Sequence, residues 1–367
     1  MHQRRRGLGH RIVALSLMGL TAGALPVQAC TNFLLKAADG TPIYGRTMEY
    51  ALETQPDVVV VPRNYEYVGT RPADAPGVKW TSRYGLVGVM NLGQPFVSDG
   101  VNEKGLAGGA LYFPGFAGYT PPAQAGTRTA LAPWEFLTWV LTNFATVEEV
   151  KAGLDNVAII DLPAPVVNFT LPFHFPIHDA SGASIVIEPV DGKFKVYDNP
   201  LGVLTNSPSF DWHMNNVRNY VKMSPVAADP LKISGHTFAP FGQGSGLLGI
   251  PGDPTPPSRF IRALGYVASA KQLPDGPQTV RLAEHILNNF DIPLGFIDSA
   301  AKGGELEYTQ WSSVADLRAK KYYIKGYKDQ VLRSIDLMSF DLDAKTLRVA
   351  PFKPNLTPPA LEFANPS

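Results

Sequence analysis

Short runs of aliphatic, aromatic and β-branched residues, each closed by turn-forming residues, recur along most of this chain and begin in earnest at residue 31. The segment TNFLLK reads as a strand over 31–36, Ala38-Asp39-Gly40 as a turn, and PIYGRTMEY as a second strand over 42–50, so the two make a hairpin. Further strands are predicted at 58–62, 84–91, 106–112, 166–178, 184–189, 194–198, 305–312, 321–324, 334–341 and 347–351. Apolar positions recur three or four apart over 131–144, which predicts a helix opened by Ala132-Pro133-Trp134-Glu135. A short helix is expected over 146–152, with Thr146 as its cap and Glu148 and Glu149 in its first turn, and two more over 257–272 and 279–290. Strands, then helices, then strands predict an α+β layered domain. No shift in composition marks an internal boundary, so one domain is expected over 30–351, followed by a Pro-rich tail over 352–367.

Ahead of the hairpin the pattern is different. Arg4, Arg5, Arg6 and Arg11 form a basic start, 12–25 an apolar stretch, and Val27-Gln28-Ala29 a small-residue cleavage site, which together predict a signal peptide over 1–29. The apolar stretch is too short to span a bilayer, and no later stretch approaches the ~18 to 20 apolar residues a spanning helix needs. The expectation is a protein exported to the periplasm or beyond after cleavage between Ala29 and Cys30, with no stable membrane insertion.

Charge narrows the partners. With 32 Lys+Arg against 32 Asp+Glu the chain has no net field to draw it to nucleic acid or an anionic surface, so a small-molecule ligand is expected. Apolar residues make up 45% and charged residues 17%, a globular balance.

Cys30 is the only cysteine, and it stands directly behind the cleavage site. In an oxidising compartment it has no intramolecular disulfide partner. Three readings are open: a buried, inert thiol; a lipid-modified cysteine, to which the polar Gln28 is poorly suited; or a new N-terminus that carries a thiol and a free α-amine on one residue. The third is chemically self-sufficient. A thiol of ordinary pKa ~8.5 beside an amine of ~7.7 to 8.0 can pass its proton to that amine, which can later donate to a leaving nitrogen.

Other motifs weigh less. His174 and His178 would share a metal only on a helix, which Pro172 and Pro176 disfavour, and no metal or other cofactor is expected. A Cys-His dyad of the papain kind needs its cysteine at a helix start, and Cys30 precedes a strand. The run FGQGSGLLGIPGD lacks the Lys-Ser/Thr pair of a phosphate loop and reads as a loop that approaches another backbone closely. Arg46 and Glu49 on the second strand read either as a solvated edge pair or, once the hairpin closes, as a guanidinium that favours the Cys30 thiolate and a carboxylate that orients the amine.

The segments CTNFLLKAADGTPIYGRTMEY, NEKGLAGGALYFPGF, GVLTNSPSFDWHMNNVRNY and GIPGDPTPPSRFIRA, in that order, resemble the signature segments of the choloylglycine hydrolases, the group of penicillin V acylases and bile salt hydrolases. The resemblance covers nearly all of 30–351. It implies an N-terminal-nucleophile hydrolase with a four-layer αββα sandwich, no cofactor, and a homo-oligomer, a tetramer. Residue by residue it implies Cys30 as nucleophile with its α-amine as base, Arg46 beside the thiol, Glu49 in the place of an aspartate that binds the amine, Asn206 in the oxyanion hole and at the terminus, and Arg259 as the second arginine. Tyr112 stands where many bile salt hydrolases have Asn, which leaves the oxyanion donation there to a backbone N–H. Tyr50, Tyr112, Phe113 and Phe116 would then form an aromatic wall for the acyl half of an amide. From Tyr112, Glu49 and the export signal, the expected substrates are penicillin V or an N-acyl-homoserine lactone, with conjugated bile salts as the alternative. A lipid-anchored protein that only binds its ligand is the non-enzymatic alternative.

Overall fold

The chain was described from a computed structural model covering residues 29–70, 77–91, 93, 95–165, 167–298 and 306–363. The 1–28 part of the expected signal peptide lies outside the described residues.

The first hairpin forms as its pattern predicts. Strand β1 (Cys30–Lys36) pairs antiparallel with β2 (Pro42–Tyr50), in a register that sets Cys30 opposite Met48 and Asn32 opposite Arg46. All nine residues of β2 are buried, which a strand achieves only when both faces of its sheet are covered. Beyond β2 the same sheet continues through Leu306–Asp316, Lys321–Gly326 and Asp329–Asp336. The outer edge of β1 is closed where Asn32 and Leu204 exchange backbone hydrogen bonds of 2.8 and 3.1 Å.

A second antiparallel sheet runs in the order Lys193–Asp198, Ser184–Val190, Phe173–His178, Ala107–Gly109, Val97–Asn102, Leu86–Met90, Asp57–Val61 and Arg348–Pro351. Its side chains show how the layers stack. Val58 and Val60 join a cluster with Tyr44, Trp311 and Tyr322 of the first sheet, whereas Val59 and Val61 join one with Leu137, Val140 and Leu141 of the helix Phe136–Asn143. Alternate residues therefore face the other sheet and a helix layer. The helices Pro256–Ser269 and Gly276–Leu287 cover the outer face of the first sheet. The result is the four-layer αββα sandwich.

Several helix starts follow local chemistry. Thr146 accepts from the N–H of Glu149 at 3.2 Å ahead of the helix Val147–Gly153, and Asp275 accepts from Gln278 at 2.9 Å ahead of Gly276–Leu287. Elsewhere tertiary context overrides the local pattern. The expected helix at 131–144 starts only at Phe136, because 129–131 pairs as a strand with Val157–Ile159. The strand expected over 166–178 begins at Phe173, and that over 334–341 stops at Asp336, whose side chain caps a turn by accepting from Met338. Val97–Asn102 (VSDGVN) was not expected as a strand, since Asp and Gly disfavour one. The helix Phe210–Asn216 was likewise not anticipated.

The glycine run makes the close approach expected of it: a Cβ on Gly246 would lie 2.0 Å from the Val226 carbonyl oxygen. At the tail, Phe352 packs over Gly326 and the Asn355 N–H donates to Asp329 at 2.7 Å, after which 356–363 is exposed. Among the described residues, no helix is long and apolar enough to cross a membrane.

Gly105 joins the two sheets at one end, with φ of +82° and room for a Cβ only 2.2 Å from the Leu317 carbonyl oxygen. Gly105→Ala is expected to cost about 1–3 kcal/mol through this overlap and its left-handed backbone, as read from the urea midpoint at unchanged m-value.

Candidate active site

The site is built where β1 begins. Cys30 is fully buried, and its N–H donates to Asn206 Oδ1 at 2.7 Å. Asn206 in turn donates through Nδ2 to the Tyr112 carbonyl at 2.8 Å. Arg259, from the helix Pro256–Ser269, donates to Asn206 Oδ1 at 2.7 Å, to Thr31 Oγ1 at 2.9 Å and to the Cys30 carbonyl. Arg259 thus fixes the main chain at Cys30. In the chain as described, Cys30 N is the peptide nitrogen that follows Ala29, whose carbonyl accepts from the Glu49 N–H at 3.0 Å.

The β2 side chains divide by parity. Arg46 and Met48 share the inter-sheet face with the thiol: Arg46 Nη2 lies 3.8 Å from Cys30 Sγ, and Met48 Sδ lies 4.0 Å from it. Glu49, an odd step from Arg46, faces the helix layer instead, where Thr309 Oγ1 donates to its Oε1 at 2.9 Å. The Arg46–Glu49 pair considered from sequence therefore does not form, and neither residue is solvated, since both are fully buried.

Arg46 is paired instead with Asp99, at 3.4 Å between two fully buried side chains. It also donates to the carbonyls of Ser98 at 2.5 Å and Ala110 at 2.7 Å, and its guanidinium lies over the Trp311 ring at 5.2 Å. Asp99 accepts from Ser313 at 2.9 Å, Tyr322 at 2.5 Å and Tyr44. A buried carboxylate with this many donors is well satisfied. Asp99 was missed in the sequence because its strand was missed; a polar residue between Val97 and Val101 was the available signal.

Electrostatics at the thiol are finely opposed. Burial pushes the Cys30 thiol up, further than Arg46 pulls it down, while Glu49 adds to the rise and Arg259 opposes it. The arginine alone therefore leaves the thiol protonated, and a base must take its proton. Burial also raises Glu49, to about 8, against the lowering influence of Arg259, Thr47 and Thr309.

Register places an oxyanion donor. Phe113 N–H donates to the Pro172 carbonyl, so the adjacent Tyr112–Phe173 pair is a non-hydrogen-bonded one, and the Tyr112 N–H and C=O point away from the partner strand. The Tyr112 carbonyl is the one that Asn206 holds.

The histidines brace this frame and form no metal cluster among the described residues. His174 Nε2 donates to the Thr205 carbonyl at 2.9 Å, His178 Nε2 to Asn32 Oδ1 at 3.1 Å, and His213 Nε2 to the Asn206 carbonyl at 2.9 Å. Burial lowers His178 to about 3 and His213 to about 4, so both are neutral imidazoles.

A cavity of about 160 Å³ is lined by Met48, whose Sδ is 4.0 Å from the thiol, and by Tyr50, Phe96, Trp134, Leu171 and Phe173 among others. Of the aromatic residues expected in its wall, Tyr50 lines it. The others do not: the Tyr112 ring is buried, Phe113 is buried and stacked on His174 at 4.3 Å, and Phe116 is exposed. A larger crevice of about 460 Å³ near Leu34, Leu201 and Lys271 contains none of the site residues.

Comparison with known proteins decides the family. The profile of the linear amide C–N hydrolases, choloylglycine hydrolase family, matches residues 30–350. The chain belongs to the choloylglycine hydrolase family. It is a hydrolase of linear amides. A bile salt hydrolase/transferase of Clostridium perfringens is 34% identical over 89% of this chain and 98% of its own length, and one of Bifidobacterium longum is 32% identical over 87% and 98%. A penicillin V acylase of Pectobacterium atrosepticum is 27% identical over 93% and 87%. Among solved structures, a variant of the conjugated bile acid hydrolase of Clostridium perfringens superposes with a TM-score of 0.79 at 33% identity, covering 89% of this chain and 98% of that one.

Removing Asp99 would leave the buried Arg46 uncompensated. Asp99→Ala is expected to cost about 3–5 kcal/mol; Asp99→Asn keeps one side-chain acceptor but removes the charge, so a denaturation midpoint that also falls well below the parent's checks the charge pairing.

Proposed function

We propose that this choloylglycine hydrolase cleaves conjugated bile salts, with Cys30 freed by cleavage after Ala29 as an N-terminal nucleophile. The observation that carries the reading is a buried Cys30 whose main chain is pinned by Asn206 and Arg259, with Met48 between its thiol and an apolar cavity. The choice of a bile acyl group is supported by bile salt hydrolases being the more similar relatives, where the sequence alone favoured penicillin V or an acyl-homoserine lactone.

In this mechanism the α-amine takes the thiol proton and the thiolate attacks the amide carbonyl. The negative oxygen is held by the Tyr112 N–H and by the Asn206 amide hydrogen that is not engaged with Tyr112. The α-ammonium then protonates the departing nitrogen, the C–N bond breaks, and a Cys30 thioester remains. Water, deprotonated by the same amine, attacks the thioester and releases the acid and the free thiol.

A second reading, penicillin V hydrolysis, is favoured by two particular features. The cavity is small beside the ~300 to 1,000 Å³ usual for drug-sized ligands, and Tyr112 replaces the amide side chain of many bile salt hydrolases.

Intact mass and N-terminal sequence of the active protein are expected to begin at Cys30, and Cys30→Ala to keep the fold with no turnover. Among glycine- and taurine-conjugated bile salts, penicillin V and a long-chain acyl-homoserine lactone, the highest kcat/KM is expected on a bile conjugate. Turnover of penicillin V alone would transfer the assignment to the second reading, and a Cys30→Ala variant that still releases amine would end both.

A further inference from the structure

Glu307 is not among the residues that the family resemblance picks out, yet it is buried as deeply as any of them. Neither of its carboxylate oxygens has a hydrogen-bond partner, and no part of the side chain reaches solvent. An uncompensated buried carboxylate is costly, so its partner should be sought in the state that works.

Position identifies that partner. Glu307 precedes Thr309 by two residues on the strand Leu306–Asp316, so both side chains emerge on one face. Thr309 sits opposite Glu49 in the sheet and donates to Glu49 Oε1, while Glu49 Oε2 has no partner. The Ala29 N–H lies near enough to the Glu307 carboxylate to favour its charge, though outside hydrogen-bond geometry. Two carboxylates with unused oxygens thus flank the Ala29–Cys30 peptide bond.

Charge bookkeeping on this face leaves a deficit of one cation. Glu49 and Glu307 face a single guanidinium, Arg259, while nearby Asp291 is balanced by Lys325, which also faces Glu284. Arg46 is engaged with Asp99 on the opposite face. While Ala29 remains attached, the deficit appears as retained protons: burial raises Glu307 to about 7, opposed by the Ala29 N–H and Arg259, and raises Glu49 to about 8.

We propose that Glu307 is a positioning residue that, with Glu49, receives the α-ammonium created on Cys30 by cleavage after Ala29. The inference rests on the N-terminal-nucleophile reading above. One ammonium N–H keeps the bond to Asn206 Oδ1, and the others turn towards the two carboxylates that the departing Ala29 uncovers. Glu307 then fixes the direction of the amine lone pair and stabilises its protonated form, which sets the pH at which the amine becomes a competent base.

The sign follows directly. A nearby carboxylate raises the pKa of an ammonium, so removing it lowers that pKa. Glu307→Gln in the mature enzyme is expected to move the acidic limb of kcat/KM to lower pH by about one unit, with the fold retained. Glu307→Asp, which keeps the charge one methylene further away, should move the limb by less, and serves as the reading if the Gln variant does not fold. A limb that superimposes on the parent, or moves to higher pH, overturns the proposal. So does a folded Glu307→Gln chain that retains Ala29, since the carboxylate would then serve processing. A parent enzyme whose N-terminus is not Cys30 would instead overturn the reading beneath it.

Discussion

The site depends on one constraint: the main chain at Cys30 is clamped by side chains from distant parts of the sequence. Asn206 Oδ1 takes hydrogen bonds from both Cys30 N and Arg259 Nη2, and Arg259 also holds the Cys30 carbonyl and Thr31 Oγ1. A residue near a chain end would ordinarily be mobile. Here it is the first residue of a strand whose neighbour, β2, is buried on both faces. Cys30 is therefore as fixed as the core, and the positioning that a reacting group needs is available from the sandwich itself.

Burial also determines which chemistry is available. In the interior the cost of a lone thiolate exceeds what Arg46 supplies, so the net shift of Cys30 is upward. Arg46 stays protonated because Cys30, Asp99 and Tyr44 outweigh the burial that opposes its charge. Its hydrogen bonds go mainly to Ser98, Ala110 and Asp99, with the thiol at 3.8 Å. The guanidinium is thus a fixed positive charge beside the sulfur that favours the thiolate without outweighing burial.

The hairpin, the long helices and most strands were legible because their signals are local: turn residues at 38–40, Thr146 as a cap, and apolar runs between them; the Asp275 cap, which starts its helix three residues before the expected 279, was not read. The six positions that the resemblance picks out came from motif order, and the structure brings Cys30, Arg46, Glu49, Tyr112, Asn206 and Arg259 into one neighbourhood. What escaped was non-local. Val97–Asn102 becomes a strand because two neighbours pair with it, and Asp99 matters only because β2 delivers Arg46 to it. Glu307 resembled any charged residue at a strand start, and its isolation appears only after Thr309 and Glu49 are brought into register. The aromatic wall misled for a related reason: Phe113 follows Tyr112 in sequence but turns to stack on His174, away from the cavity.

Tyr112 shows how a site can change a side chain and keep its function. Because Tyr112 pairs with Phe173 at a non-hydrogen-bonded position, its N–H and C=O are directed to the site whatever side chain it carries. The carbonyl secures Asn206, and the N–H is left pointing the same way. An amide side chain at this position would add a donor but is not required for one. The Tyr112 ring, whose hydroxyl is buried without a partner, leaves the cavity to Met48, Tyr50, Phe96, Trp134 and Phe173. Selectivity for the acyl half then rests on shape and apolar contact, which discriminate by only ~1–3 kcal/mol per methylene-sized difference.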